Sequence, residues 1–266
     1  MKRLRRALDA TRVITGARHL TVRTRCQLLL VQWRVLLKLP GKRARSISVP
    51  GGSVYIAAET MAIDLAVFVE IWIDRIFPTD CNGRLVIDVG AHKGYFGARA
   101  LADGALAVVS CEPQSQNFSL LERARRANHR HDCWTIERVA IGSAEGSAQL
   151  YVSAESWAHS IHRSMVDSTA SEEVAMTTLA AVLRRATADS PDADVVLKVN
   201  VEGAAADVLM PATSEDLEHV LEIHLDHEPG SPYSLDDLLG HLASVGLDHV
   251  TRSAERLFVI TRSVDV

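Results

Sequence analysis

Cysteine is scarce in this 266-residue chain. Cys26, Cys81, Cys111 and Cys133 are widely dispersed, and none stands in a Cys-x-x-Cys pair. That pattern argues against a zinc knuckle or a disulfide framework and for a reducing, cytoplasmic setting. Acids are almost missing from the first 45 positions, which hold 13 Lys or Arg against Asp9 alone, a net of +12. The remainder reverses the balance, with 16 basic and 32 acidic residues for a net of −16, and the first glutamate is Glu59. Arg34 interrupts an apolar stretch already shorter than the ~20 residues that span a bilayer. The same arginine breaks the apolar core a secretory signal would need. No basic surface interleaved with aromatics occurs beyond the first 45 residues, so nucleic acid is not an expected partner. Hydrophobic residues make up 47% and charged residues 23%, enough for a substantial core in one large domain or a domain with an appendage.

The charge split suggests a basic arm on an acidic domain. Arg23, Gln27, Arg34 and Lys38 recur at helical spacing, while Leu28 to Val31, Trp33 and Val35 to Leu37 cover most of the remaining surface. This pattern predicts an interfacial helix, with peripheral membrane contact through residues 18–45 at the inner face of the membrane. A helix packed as a lid, its arginines paired with the acidic domain, fits the same residues, and the Arg-rich composition also suits a transit peptide. Pro40, Gly41, Pro50, Gly51 and Gly52 mark a junction. The expected division is therefore a basic N-terminal helical arm over residues 1–49 and a second domain over residues 50–266.

Past the junction, a short strand and the apolar helix MAIDLAVFVEIWIDRIF precede an alternation of strands and helices. Strands are expected at 85–87, 106–109, 134–141, 195–201 and 220–225, with 147–153 as a short extension or hairpin partner. Helices are expected through LLERARRA, TTLAAVLRRA and LDDLLGHLASVG, and an antiparallel pair over 247–251 and 257–261. Such alternation implies an α/β fold with a mostly parallel sheet. Its central unit is LVIDVGAHKGYFGARA, residues 85–100. Asp88 ends the strand where ligands bind in open α/β sheets, and Gly90 and Gly94 permit a sharp turn with close ligand approach. The spacing Asp-x-Gly-x-x-x-Gly is not that of a dinucleotide site, and no Tyr-x-x-x-Lys pair occurs, so a nicotinamide oxidoreductase is the weaker reading. Glu112 lies 22 positions beyond Gly90, about where a second strand brings a carboxylate to ribose hydroxyls.

Three ordered motifs resemble the FkbM-type family of S-adenosylmethionine-dependent methyltransferases. They are VIDVGAHKGYF, then Glu112-Pro113 followed by Asn117-Phe118, then KVNVEGAA from Lys198 to Ala205. The resemblance implies a class I Rossmann-like methyltransferase with a seven-stranded sheet and a terminal antiparallel hairpin. It further implies S-adenosyl-L-methionine as cofactor and O-methylation of a saccharide, glycolipid or natural-product hydroxyl. Asp88 and Gly90 would frame the methionine end of the cofactor and Glu112 its ribose, with Ala91, Gly94, Tyr95, Pro113 and Asn117 completing that site. Catalytic candidates are Glu202, His224, Asn200 and His159, since strand ends should carry the proton chemistry. Trp157 would cap the pocket. Glu202 also reads as ordinary helix-dipole chemistry, and residues 156–160 as a polar surface loop. His224, Asp226 and His227 do not share one side of a strand, so no metal site is expected. Asn200 and Ala205 stand where the family has Asp and Glu, which motivates a second reading, a binding or scaffold module on the same fold.

Overall fold

The computed structural model describes residues 2–39, 41–167 and 170–263. Pro40, one of the expected junction residues, lies outside them. Two helices come first, α1 (Lys2–Gly16) and α2 (Val22–Leu36), the second capped by the Thr21 hydroxyl accepting from the Thr24 amide at 3.1 Å. An antiparallel hairpin follows, β1 (Arg45–Val49) and β2 (Gly52–Ile56), so the expected boundary after residue 49 falls in its turn. The apolar helix is α3 (Met61–Phe68), which continues as a π-helical segment over Val69–Asp74.

The alternating region comprises β3 (Leu85–Val89), α4 (Tyr95–Ala102), β4 (Ala107–Cys111), α5 (Ser115–Arg126) and β5 (Trp134–Glu137). Next come β6 (Ala140–Ile141), β7 (Gly146–Tyr151), β8 (Ser171–Thr177), α6 (Leu179–Thr187), β9 (Val195–Val199) and α7 (Ala205–Leu209). The chain closes with β10 (Val220–Asp226), α8 (Leu235–Ser244), β11 (His249–Arg252) and β12 (Leu257–Thr261). Seven strands form one sheet in the order β11-β12-β10-β9-β3-β4-β5, parallel except where β12 runs antiparallel to both its neighbours. This is the expected class I Rossmann-like methyltransferase architecture with its terminal hairpin. β3 pairs with β4 on one side and β9 on the other, so the chain leaves it in one direction and later returns in the opposite one. A crevice opens at the carboxyl ends of strands at such a switch point.

Side chains alternate across the central strands and divide the core into two layers. Val86, Val108 and Val196 face a cluster containing Phe68, Trp72, Tyr95 and Phe96; Leu85, Ile87, Val195 and Leu197 face one containing Val182, Leu183, Leu238 and Leu242. Ile14, Leu20, Leu28 and Val31 belong to the first cluster. The basic N-terminal helices therefore share the core of the sheet domain instead of standing off from it as an arm.

Two elements depart from the expected pattern. The single strand over 134–141 is broken: β5 stays in the main sheet, and β6 joins a small sheet of order β6-β8-β7. β8 itself, SEEVAMT, was not expected; two adjacent glutamates mask its alternation, although Val174 and Thr177 are buried.

Candidate active site

The carboxyl ends of β3, β4, β9 and β10 open onto a cavity of about 440 Å³, within the range of small-molecule sites. Gly90, at φ +76°, makes the turn out of β3 in the left-handed region. A Cβ there would lie 1.8 Å from the carbonyl oxygen of Asn200, so glycine is required by the approach of two loops of the protein itself. Gly94, at φ +81°, starts α4 where a Cβ would strike Leu121 and Trp134. The expectation that these glycines admit a ligand is thus corrected at Gly94, which packs against side chains and is not part of the cavity wall. Gly90, Ala91 and Tyr95 do line it.

Glu112 emerges just beyond β4 into the same wall. The His92 amide donates to one carboxyl oxygen at 2.7 Å and the Gln114 amide to the other at 3.0 Å. Burial outweighs these bonds and pushes the Glu112 carboxyl up to about 7. Pro113 and Asn117 line the cavity beside it, and the Asn117 side-chain amide donates to the Ser156 carbonyl at 2.7 Å. Asp88 is fully buried behind this wall and accepts at 2.8 Å from Lys198, whose ammonium also donates to the Gly90 carbonyl at 3.0 Å. Lys198 itself reaches the cavity, so Asp88 acts there through the lysine it holds.

His92 was not anticipated. Its Nε2 lies 3.1 Å from the Ser156 hydroxyl, which donates to Asp64 at 2.9 Å. A hydroxyl that gives its proton to a carboxylate accepts from the imidazole, so the His92 proton sits on Nε2 and Nδ1 carries a free lone pair. That Nδ1 is buried without a hydrogen-bond partner among the described residues, and burial holds the ring neutral, well below the usual histidine range. Asp64 also pairs with the buried Lys93, tying α3, the β3–α4 loop and the 156–160 loop together.

The far end of the cavity gathers ionisable side chains. Asn200, Glu202, Asp226 and Arg256 line it. Burial, reinforced by Glu228 and Asp226, pushes Glu202 up to about 9, and burial with Asp226 raises Glu228 to about 7. Burial and the neighbouring carboxyls therefore favour the protonated form at Glu202. Asp226 accepts at 3.0 Å from Arg256 with one oxygen while the other has no partner among the described residues. Burial raises the Asp226 carboxyl against the pull of Arg256 and Lys198. Asn200 Oδ1 and Glu228 Oε1 are likewise buried and unpartnered.

His159 lines the cavity and its Nδ1 accepts from the Ser153 amide at 3.0 Å, which places the proton on Nε2. Burial lowers it to about 4, so it is a neutral donor instead of a base. Trp157 lines the cavity and stays partly exposed. His224 is not brought to the site: it is buried within β10, hydrogen-bonded to Glu222 and packed edge-on against Phe77. Lys198 and His92 sat inside the quoted motifs and could have been read from them. Arg256 and Glu228, from loops without a motif, could not.

The model of the FkbM methyltransferase domain matches residues 88–248, and the chain belongs to this family. No curated protein matches it. Among solved structures, the methyltransferase FkbM of Methylobacillus flagellatus is 14% identical at a TM-score of 0.48, over 96% of this chain and 59% of that one. SMU.776, solved as a complex with SAH, is 8% identical at 0.45, over 88% and 64%. A SAM-dependent methyltransferase of Agrobacterium tumefaciens is 10% identical at 0.41, over 78% and 59%. Likenesses at this level carry no argument about the site.

Proposed function

We propose, on the premise of this family membership, that the chain takes a methyl group from S-adenosylmethionine and delivers it to a hydroxyl of a small molecule such as a saccharide, a glycolipid or a natural product. The observation that carries the reading is Glu112: a buried carboxylate on the cavity wall, fixed by two backbone amides, with lone pairs left for two vicinal hydroxyls. When bound, the cofactor supplies a methyl group made electrophilic by its sulfonium.

The protein's own groups do the rest. Glu112 would accept from the ribose hydroxyls, and Lys198 with Gly90 would frame the methionine end. The carboxylate of Asp226, neutralised on one oxygen by Arg256, takes the acceptor's hydroxyl proton on the other. His159 donates from Nε2, and Asn200 orients the acceptor.

Calorimetric titration with S-adenosylhomocysteine tests the reading. Wild type should bind at micromolar affinity, and Glu112→Ala should bind about a hundredfold more weakly, the loss expected for two hydrogen bonds to a charged group. A folded wild type that does not bind would overturn it. Asn200 in place of the family's Asp favours a binding module without turnover; methylation of any defined acceptor by the wild type would exclude that alternative.

A further inference from the structure

We propose that the outward face of α2 is a docking surface for an anionic lipid bilayer, on which the protein lies without crossing it. The inference does not depend on the catalytic reading. One face of α2 is Thr24, Leu28, Val31 and Val35, at steps of four, three and four, turned into the core. The opposite face repeats the same spacing with apolar residues that nothing covers. Val22 is 67% exposed, Leu30 64%, Trp33 53% and Leu37 62%, and Cys26 lies among them. A helix that is apolar on two opposite faces has one face too many for a protein surrounded by water.

Charge identifies the occupant. Arg23 and Lys38 flank this stripe in the helical spacing, and they and Lys42 and Arg43 in the segment that follows are exposed, in a stretch with a single acid over 45 positions. A second copy of the chain would set two such basic rims against each other. Nucleic acid would use the cations but leave the leucines in water. An anionic bilayer satisfies both, taking the apolar stripe below the headgroups and the cations among them, with Trp33 at the boundary. No helix among the described residues is long and apolar enough to cross a membrane. Gln27, on the basic side of the helix, is occupied instead with the β1 backbone, accepting from the Ser48 amide at 2.9 Å. That contact fixes the angle at which the stripe faces outward. α2 packs on α3, whose Ile63 and Val67 line the cavity, so α2 and α3 together separate the proposed membrane face from the site.

Flotation of the full chain with vesicles tests the proposal. Binding is expected to vesicles of phosphatidylcholine and phosphatidylglycerol in equal parts and not to phosphatidylcholine alone, and Trp33 emission should shift to the blue. Leu30→Glu/Leu37→Glu, at exposed positions that leave the thermal melt unchanged, should abolish binding. Arg23→Gln/Lys42→Gln should weaken it about thirtyfold, the effect of about two surface cations. Failure to bind the anionic vesicles would overturn the proposal, as would binding that survives the leucine substitutions. Self-association without lipid, removed by Leu30→Glu/Leu37→Glu, would assign the face to a second copy. Oligonucleotide binding indifferent to those substitutions, without vesicle binding, would assign it to nucleic acid.

Discussion

At the β4 end of the cavity, Glu112 has both oxygens engaged by backbone amides, and its neighbours Asn117 and Ser156 are bonded to one another. At the β9–β10 end, Asn200, Asp226 and Glu228 each keep a buried oxygen without a partner among the described residues, and Glu202 is crowded by two carboxylates. Both ends lie in the same crevice, yet the carboxylate at one is finished, with the His92 Nδ1 lone pair beside it the acceptor left open, while the carboxyl groups at the other are waiting. A buried acceptor without a donor is costly, and native proteins keep few of them. On the proposed reading, the finished end would be preorganised for one ligand feature, a pair of hydroxyls, and the unfinished end would hold its cost until a donor-bearing acceptor arrives.

The largest expected effect separates the two ends kinetically. Asp226→Asn keeps the shape but removes the base, so kcat should fall about a thousandfold, as for loss of a positioned general base. Affinity for S-adenosylhomocysteine should stay at the wild-type value. A variant that lost cofactor affinity instead would erase the division of labour. A smaller effect sharpens the finished end. Burial pushes the Glu112 carboxyl up to about 7, and its ionised form is the stronger acceptor for the ribose hydroxyls. Affinity for S-adenosylhomocysteine should therefore be full above pH 7 and fall by up to about tenfold for each unit below it, the limit set by one linked deprotonation. Glu112→Gln should bind more weakly overall with a flat profile. Calorimetry between pH 5.5 and 8.5 decides it.

The same contrast governs how much could be read from the chain. The finished end is local: strand, turn, helix and second strand succeed one another within residues 85–118, so spacing alone placed Gly90 and Glu112. The unfinished end is assembled from β9, β10 and the turn before β12, and Arg256 meets Asp226 across 30 positions with no periodic signal to announce it. His224 misled because its residue type suits proton transfer, whereas its register on β10 buries it against Phe77. The N-terminal segment was half legible. Its charge and spacing identified a helix with a basic stripe and allowed its packing against the acidic domain, but apolar residues over most of the remaining surface did not show which face of α2 joins the core.

The smallest effect probes the cost stored at the unfinished end. An ordinary glutamate ionises near 4.5, whereas Glu202 in the folded chain holds its proton to about 9. Folding therefore takes up a proton throughout that window, and Glu202's contribution to stability declines as pH rises through it. Gln cannot ionise, so Glu202→Gln should melt close to wild type near pH 5 and above it near pH 8.5, by about 2–4 °C for each ~1 kcal/mol relieved in a domain of this size. Melting curves at the two pH values, for wild type and variant, measure the difference directly. If the variant instead melts lower at pH 8.5, the carboxylate is already compensated by partners such as Arg256 and Lys198. The acceptor end would then be as finished as the cofactor end, and the comparison would fail.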